Sequence, residues 1–157
     1  MDADASPSEP LRTHAEGLPF TTEIPVEFCD CDDAGIVFYA NYFRWFDTGF
    51  HRLLRTHGLD QRSIRERWGV LGTPIFETQS RFKQTITYGE TFTLEVRIAE
   101  WRDKTVHIAY RGLKDGRLAH EGTEVRGLVG MQDGRLRALP IARLKAVLSE
   151  PIPETPA

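Results

Sequence analysis

Apolar and polar positions along the chain change period twice. Residues 21–28, TTEIPVEF, alternate: Ile24, Val26 and Phe28 fall on one side, Glu23 and Glu27 on the other. That period of two predicts a strand, with Pro25 marking an edge or an irregular start. Residues 41–58 then carry Tyr42, Phe43, Trp45, Phe46, Phe50, Leu53 and Leu54 at helical spacing. They cover more than a narrow stripe, so the helix is expected to be enclosed on several sides. Asn41 is the expected N-cap and Gly58 the expected stop. Gly49 lowers helix propensity by about 1 kcal/mol relative to Ala, which points to close packing there. RSIRERW suggests a further short helical turn.

From Pro74 onward the period returns to two. Four long runs rich in β-branched and aromatic residues are separated by glycine turns, and Phe92, Leu94, Val96 and Ile98 alternate without a break. Asp115-Gly116 between two of these runs is a hairpin signal. PIARLKAVLSE closes as an amphipathic helix. The order strand, apolar helix, four antiparallel strands predicts an α+β domain in which a curved sheet wraps a long central helix. An unpaired sheet edge would remain, and such edges are often covered by a second copy. Residues 1–19 and 151–157 are rich in Pro, Ser and charge and read as tails outside a single domain at 20–150.

Composition narrows the function. The 157 residues are 40% hydrophobic and 27% charged, with a formal net charge of −3. Basic residues are dispersed, which argues against a nucleic-acid partner. No apolar run approaches a membrane span, and the acidic start lacks the parts of a signal peptide, so a cytoplasmic protein is expected. Cys29 and Cys31 are too close for an ordinary disulfide and are expected to be buried thiols. The five histidines show no ligand spacing, and DCDDAG lacks the length and closing Glu of a calcium loop. No metal is expected.

Three aspartates, Asp30, Asp32 and Asp33, precede the apolar helix. A solvated turn that complements the helix dipole would explain them. So would chemistry: a carboxylate beside unpaired backbone N–H groups can attack a carbonyl polarised by those groups, or activate water to do so. No Gly-x-Ser-x-Gly is present to suggest a serine triad.

The stretch VEFCDCDDAGIVFYANYFRWFD resembles the signature of the hotdog-fold acyl-CoA thioesterases. It is similar to their aspartate-before-helix type, which acts on 4-hydroxybenzoyl-CoA. HGL, GVLGTPI and IAEWRDKTV follow in the same order and at similar spacing. The resemblance implies a hotdog fold and hydrolysis of an acyl-CoA thioester, with coenzyme A entering only as part of the substrate. It also implies a homodimer with interfacial sites, paired into a homotetramer.

Residue by residue, the resemblance makes Asp32 the nucleophile or general base. It makes Tyr39 the helix-end residue whose N–H polarises the carbonyl, and Gly35 part of the same turn. It places Asp47 near the acyl ring, Thr73 at the thioester end, and Arg102 and Lys104 on the CoA phosphates. The chain departs from the pattern at Asp103, where a relative carries a base. It departs also at GLDQRS, which lacks a tryptophan, and at Ala40, which replaces a proline. Benzoyl, other hydroxybenzoyl or short aliphatic acyl groups are therefore alternatives. A non-catalytic acyl-CoA-binding module is the rival of another class. A dehydratase or hydratase is disfavoured, because no histidine stands in the Asp turn.

Overall fold

The computed structural model describes residues 19–150, so the two tails lie outside the described residues. Six strands and three helices follow in the order β1 (Phe20–Pro25), α1 (Ala40–Thr56), α2 (Gln61–Trp68), β2 (Ile75–Phe82), β3 (Thr91–Trp101), β4 (Thr105–Lys114), β5 (Arg117–Gln132), β6 (Arg135–Leu139) and α3 (Ala142–Leu148). All pairings are antiparallel, in the sheet order β1-β3-β4-β5-β2. Strand β5 is long enough to serve two neighbours: its first part pairs with β2 and its last part with β6.

The sheet folds around α1 because α1 buries one continuous stripe. Tyr42, Trp45, Phe46, Gly49, Phe50, Leu53 and Leu54 are the buried positions, spaced three and four apart. Phe46 stacks on Tyr110 of β4 with ring centroids 4.5 Å apart, and Trp45 meets Phe92 of β3 edge-on at 5.1 Å. Gly49 brings the helix onto β3: a Cβ there would lie 2.8 Å from Leu94 Cδ2. Only Ala40, Arg44 and Arg55 of the helix are exposed, as expected of an enclosed helix. At its C-terminal end Gly58 adopts a left-handed φ of 69°, the expected stop.

Several expectations need correction. The first strand ends at Pro25, and Phe28 starts a 3-10 turn (Phe28–Asp30). Ile24 and Val26 are buried as expected, but Phe28 is 78% exposed and meets Tyr88 edge-on. Helix α1 starts at Ala40, one residue before the expected cap. Asn41 is inside it, its side chain donating to the Asp30 carbonyl at 2.8 Å. Cys29, in the 3-10 turn, is exposed, and Cys31 just after it is half-buried against the edge of the core. A further strand, β6, follows the four expected after α1, joined to β5 by a second Asp-Gly turn with φ of 50° at Asp133 and 70° at Gly134.

Strand β2 is a sheet edge. Seven of its eight residues are exposed, including Ile75, Phe76 and Phe82. Its two ends differ in surroundings. Phe82 packs on Tyr42 near the start of α1, and the segment after it runs to Ile86 and Thr87, which bond the loop before α1. The Ile75 end lies beside Thr73, Pro74 and the turn between β3 and β4, where Phe76 and the Lys104 carbonyl flank Gly127.

Candidate active site

The aspartates separate into distinct roles. Asp30 is buried: one carboxylate oxygen accepts from the Glu27 N–H at 2.9 Å, and the other pairs with Arg44. Its carbonyl also accepts from the Phe38 N–H at 2.9 Å, so Asp30 ties the loop to the start of α1. Sequence reasoning named Asp30 with its neighbours but gave it no separate role, because its partner Arg44 lies fourteen positions away and leaves no local signal.

Asp32 opens a tight turn. Its carbonyl accepts from the Gly35 N–H at 2.9 Å, and its N–H donates to the Ile36 carbonyl at 3.0 Å. Gly35 takes φ 74°, which a side chain would resist. Asp32 Oδ1 accepts from the Ala34 N–H at 2.9 Å, and among the described residues Oδ2 has no partner. The carboxylate is therefore oriented at one oxygen and available at the other. It is exposed, as is Asp33.

The Cys31–Val37 bridge folds this turn back on the entry to α1. There Tyr39 is the N-terminal flanking residue, and no side chain caps the helix. The N–H groups of Tyr39 and Ala40 have no acceptor among the described residues. A 17-residue helix thus presents unpaired donors and its positive end next to an oriented carboxylate. Phe38 and Tyr39 are exposed and pack on each other at 4.9 Å. Tyr42 belongs to the core instead.

Asp47 and Thr73 come together elsewhere. With His51, Gln61, Ile75 and Arg126 they line a cavity of about 410 Å³. Thr73 is buried, its hydroxyl accepting from Gln61 Nε2 at 2.6 Å and its N–H donating to Gln61 Oε1 at 3.2 Å. Asp47 Oδ1 accepts from Arg126 Nη2 at 2.7 Å and lies 3.4 Å from His51 Nε2. The hydrogen bond from His51, followed by the hydrogen bond and charge of Arg126, holds its pKa down to about 2, against the opposing effect of partial burial. Arg126 is the shorter contact and is always charged, so it sustains this anion when His51 is neutral. Arg126 and Glu124, both almost without exposure, escaped the sequence reading. Their i, i+2 spacing on one face of a glycine-rich strand was the available signal.

Arg102 sits in the β3–β4 turn, held bidentately by Glu100 at 3.0 and 3.1 Å, and Lys104 is exposed beside it. Both lie at the cavity's end of β2. The single chain therefore groups Asp47, Thr73, Arg102 and Lys104 at one end of β2 and Asp32, Gly35 and Tyr39 at the other. Among the described residues, no three His, Cys, Asp or Glu side chains converge as a metal site.

The fold matches that of known proteins. A family model for the thioesterase-like superfamily matches residues 26–154. The 4-hydroxybenzoyl-CoA thioesterase of Pseudomonas sp. strain CBS-3 is 36% identical over 129 residues, covering 77% of this chain and 90% of the relative. A crystal structure of a 4-hydroxybenzoyl-CoA thioesterase variant in complex with 4-hydroxybenzoyl-CoA superposes with a TM-score of 0.76. It is 30% identical and covers 85% of this chain and 100% of its own. A gentisyl-coenzyme A thioesterase superposes with a TM-score of 0.71 at 27% identity, covering 83% of this chain and 100% of its own. This chain belongs to the thioesterase-like superfamily, as an acyl-CoA thioesterase of the hotdog fold.

Proposed function

We propose that the chain hydrolyses an aryl-CoA thioester, 4-hydroxybenzoyl-CoA or a closely related hydroxylated ring, in a homodimer whose two sites each draw on both copies. The observation that carries this reading is the pairing of Asp32, one oxygen anchored and one available, with the unpaired N–H groups of Tyr39 and Ala40.

The thioester carbonyl oxygen accepts from the Tyr39 N–H, and the positive end of α1 stabilises the negative charge that grows there. Asp32 Oδ2 then attacks the carbonyl carbon, or removes a proton from a water that does so. The C–S bond breaks and coenzyme A leaves as a thiolate that takes up a proton. In the first course water cleaves the resulting acyl-aspartate anhydride, returning Asp32; in the second, water's oxygen is already on the acyl product.

The edge strand β2 supports the dimer. Two copies joined edge to edge by a two-fold axis set the Phe82 end of one β2 against the Ile75 end of the other. The Asp32 turn of one copy then faces the Asp47–Thr73 cavity of its partner, and the half-sites become one. The partner's basic turn, Arg102 and Lys104, stands at the mouth for the CoA phosphates; an exposed Arg–Glu pair is weak enough to exchange for phosphate. In this reading the dimers pair into a tetramer and act in the cytoplasm; no described helix is long and apolar enough to cross a membrane.

The test is hydrolysis of a panel containing 4-hydroxybenzoyl-CoA, benzoyl-CoA and a short aliphatic acyl-CoA, read by a thiol reagent. Release of free coenzyme A fastest from the hydroxylated aryl thioester is the expected result. Tight binding with no release above background would instead assign a non-catalytic acyl-CoA-binding module.

A further inference from the structure

Arg126 is more firmly held than a core side chain needs to be. Its Nε donates to Glu124 Oε2 at 2.7 Å, and its Nη1 lies 3.4 Å from the Thr73 carbonyl. Its guanidinium lies 4.3 Å from the centre of the Phe50 ring. Glu124 is in turn fixed by the Tyr110 hydroxyl, which donates to the same Oε2 at 2.7 Å. Burial pushes the Tyr110 phenol well above its ordinary range, so it stays a donor. Tyr110, Glu124 and Arg126 are each 1% exposed.

A buried ionic chain of this kind is a poor way to stabilise a core, because apolar residues of similar volume often serve as well or better. Its free end therefore matters. That end is Arg126 Nη2, which reaches Asp47 Oδ1 at 2.7 Å in the wall of the cavity. Among the described residues, Asp47 Oδ2 has no partner.

We propose that Arg126 is a positioning residue of the acyl pocket: anchored through Glu124 and Tyr110, it fixes Asp47 by one oxygen so that the other receives a hydrogen-bond donor on the acyl ring. The inference rests on the thioesterase reading above. Asp47 and Glu124 together set two carboxylates against one guanidinium, so an acyl ring ending in an anion is turned away. A charge-assisted hydrogen bond in such a place discriminates by roughly ten- to a hundred-fold.

The test compares 4-hydroxybenzoyl-CoA with benzoyl-CoA on the wild type, Arg126→Met, Arg126→Lys and Glu124→Gln. The wild type should favour the hydroxylated substrate in kcat/KM by at least about ten-fold. Arg126→Met should erase most of that preference through KM for the hydroxylated substrate, and Arg126→Lys should restore part of it. An unchanged preference, or an equal loss on both substrates through kcat alone, would overturn the proposal. Should Arg126→Met fail to fold, Glu124→Gln keeps the side-chain volume and decides the matter: a preference reduced about three-fold supports it, an unchanged one overturns it. If the wild type releases no coenzyme A from either substrate, the aryl-CoA reading fails by itself. Calorimetric binding of 4-hydroxybenzoate against benzoate, on the same variants, then reads the Arg126 effect directly.

Discussion

Arg44 donates to the carboxylate of Asp30 across the base of the turn that carries Asp32, so the ion pair fixing this loop belongs to Asp30. Removing the Asp30 carboxylate leaves the Glu27 N–H without its acceptor. Asp30→Ala should destabilise the protein by about 1–3 kcal/mol in urea unfolding, as expected for removing a buried carboxylate together with its hydrogen bond and ion pair. Asp32→Asn can keep the bond to the Ala34 N–H, since asparagine forms the same turn. It should leave stability within about 0.5 kcal/mol of wild type while turnover falls at least ~100-fold. Turnover within a few-fold of wild type would remove Asp32 from the chemistry.

The edge strand makes a separate prediction. Thr78 and Ser80 sit mid-strand on β2, near where a two-fold axis would pass. Thr78→Asp with Ser80→Asp sets like charges against each other across that axis. Sedimentation should show the wild type as a dimer or larger and the double variant as a monomer, with activity lost in proportion. An active monomer would refute a site shared between copies.

His120 supplies a pH dependence. It is fully buried among Tyr42, Phe46 and Phe92, and neither ring nitrogen has a partner. Burial lowers its pKa from 6.5 to about 4. The unfolded chain therefore takes up this proton first. The contribution is fully present above pH 6.5 and is lost as pH falls toward 4. The loss reaches about 3 kcal/mol, at about 1.36 kcal/mol per pH unit of difference. Urea midpoints of the wild type should drop across that window. His120→Leu should flatten this part of the profile; an unaltered slope would place the acid sensitivity elsewhere.

Close approach of α1 to the sheet is tested at Gly122. A Cβ there would lie 2.4 Å from Phe46 Cε2 and 2.5 Å from the Gln79 carbonyl oxygen. The backbone oxygen cannot swing aside as a side-chain tip would. Gly122→Ala should cost at least about 2 kcal/mol, in the range for overpacked cores, and a midpoint matching wild type would contradict the tight seam.

Much of this was legible in the chain. The period-four stripe from Tyr42 to Leu54 and the alternation from Phe92 to Val96 read correctly, because each element buries one face. Asp115-Gly116 announced its hairpin, whereas the same dipeptide at 133–134 was passed over because the strand after it is only five residues long. Phe28 misled because Pro25 ends the strand before the alternation does. The Asp32 turn stood out through a local motif. Arg126 did not: its partner Asp47 lies 79 positions away, and only the fold brings the two together.

Gly112 of β4 faces His120 of β5, and a Cβ on it would sit 1.9 Å from the imidazole Cε1. The ring occupies the room that a side chain at 112 would claim. The two positions therefore behave as one volume shared by two residues: any residue larger than glycine at 112 demands a smaller neighbour at 120, and substitutions at the pair will not add.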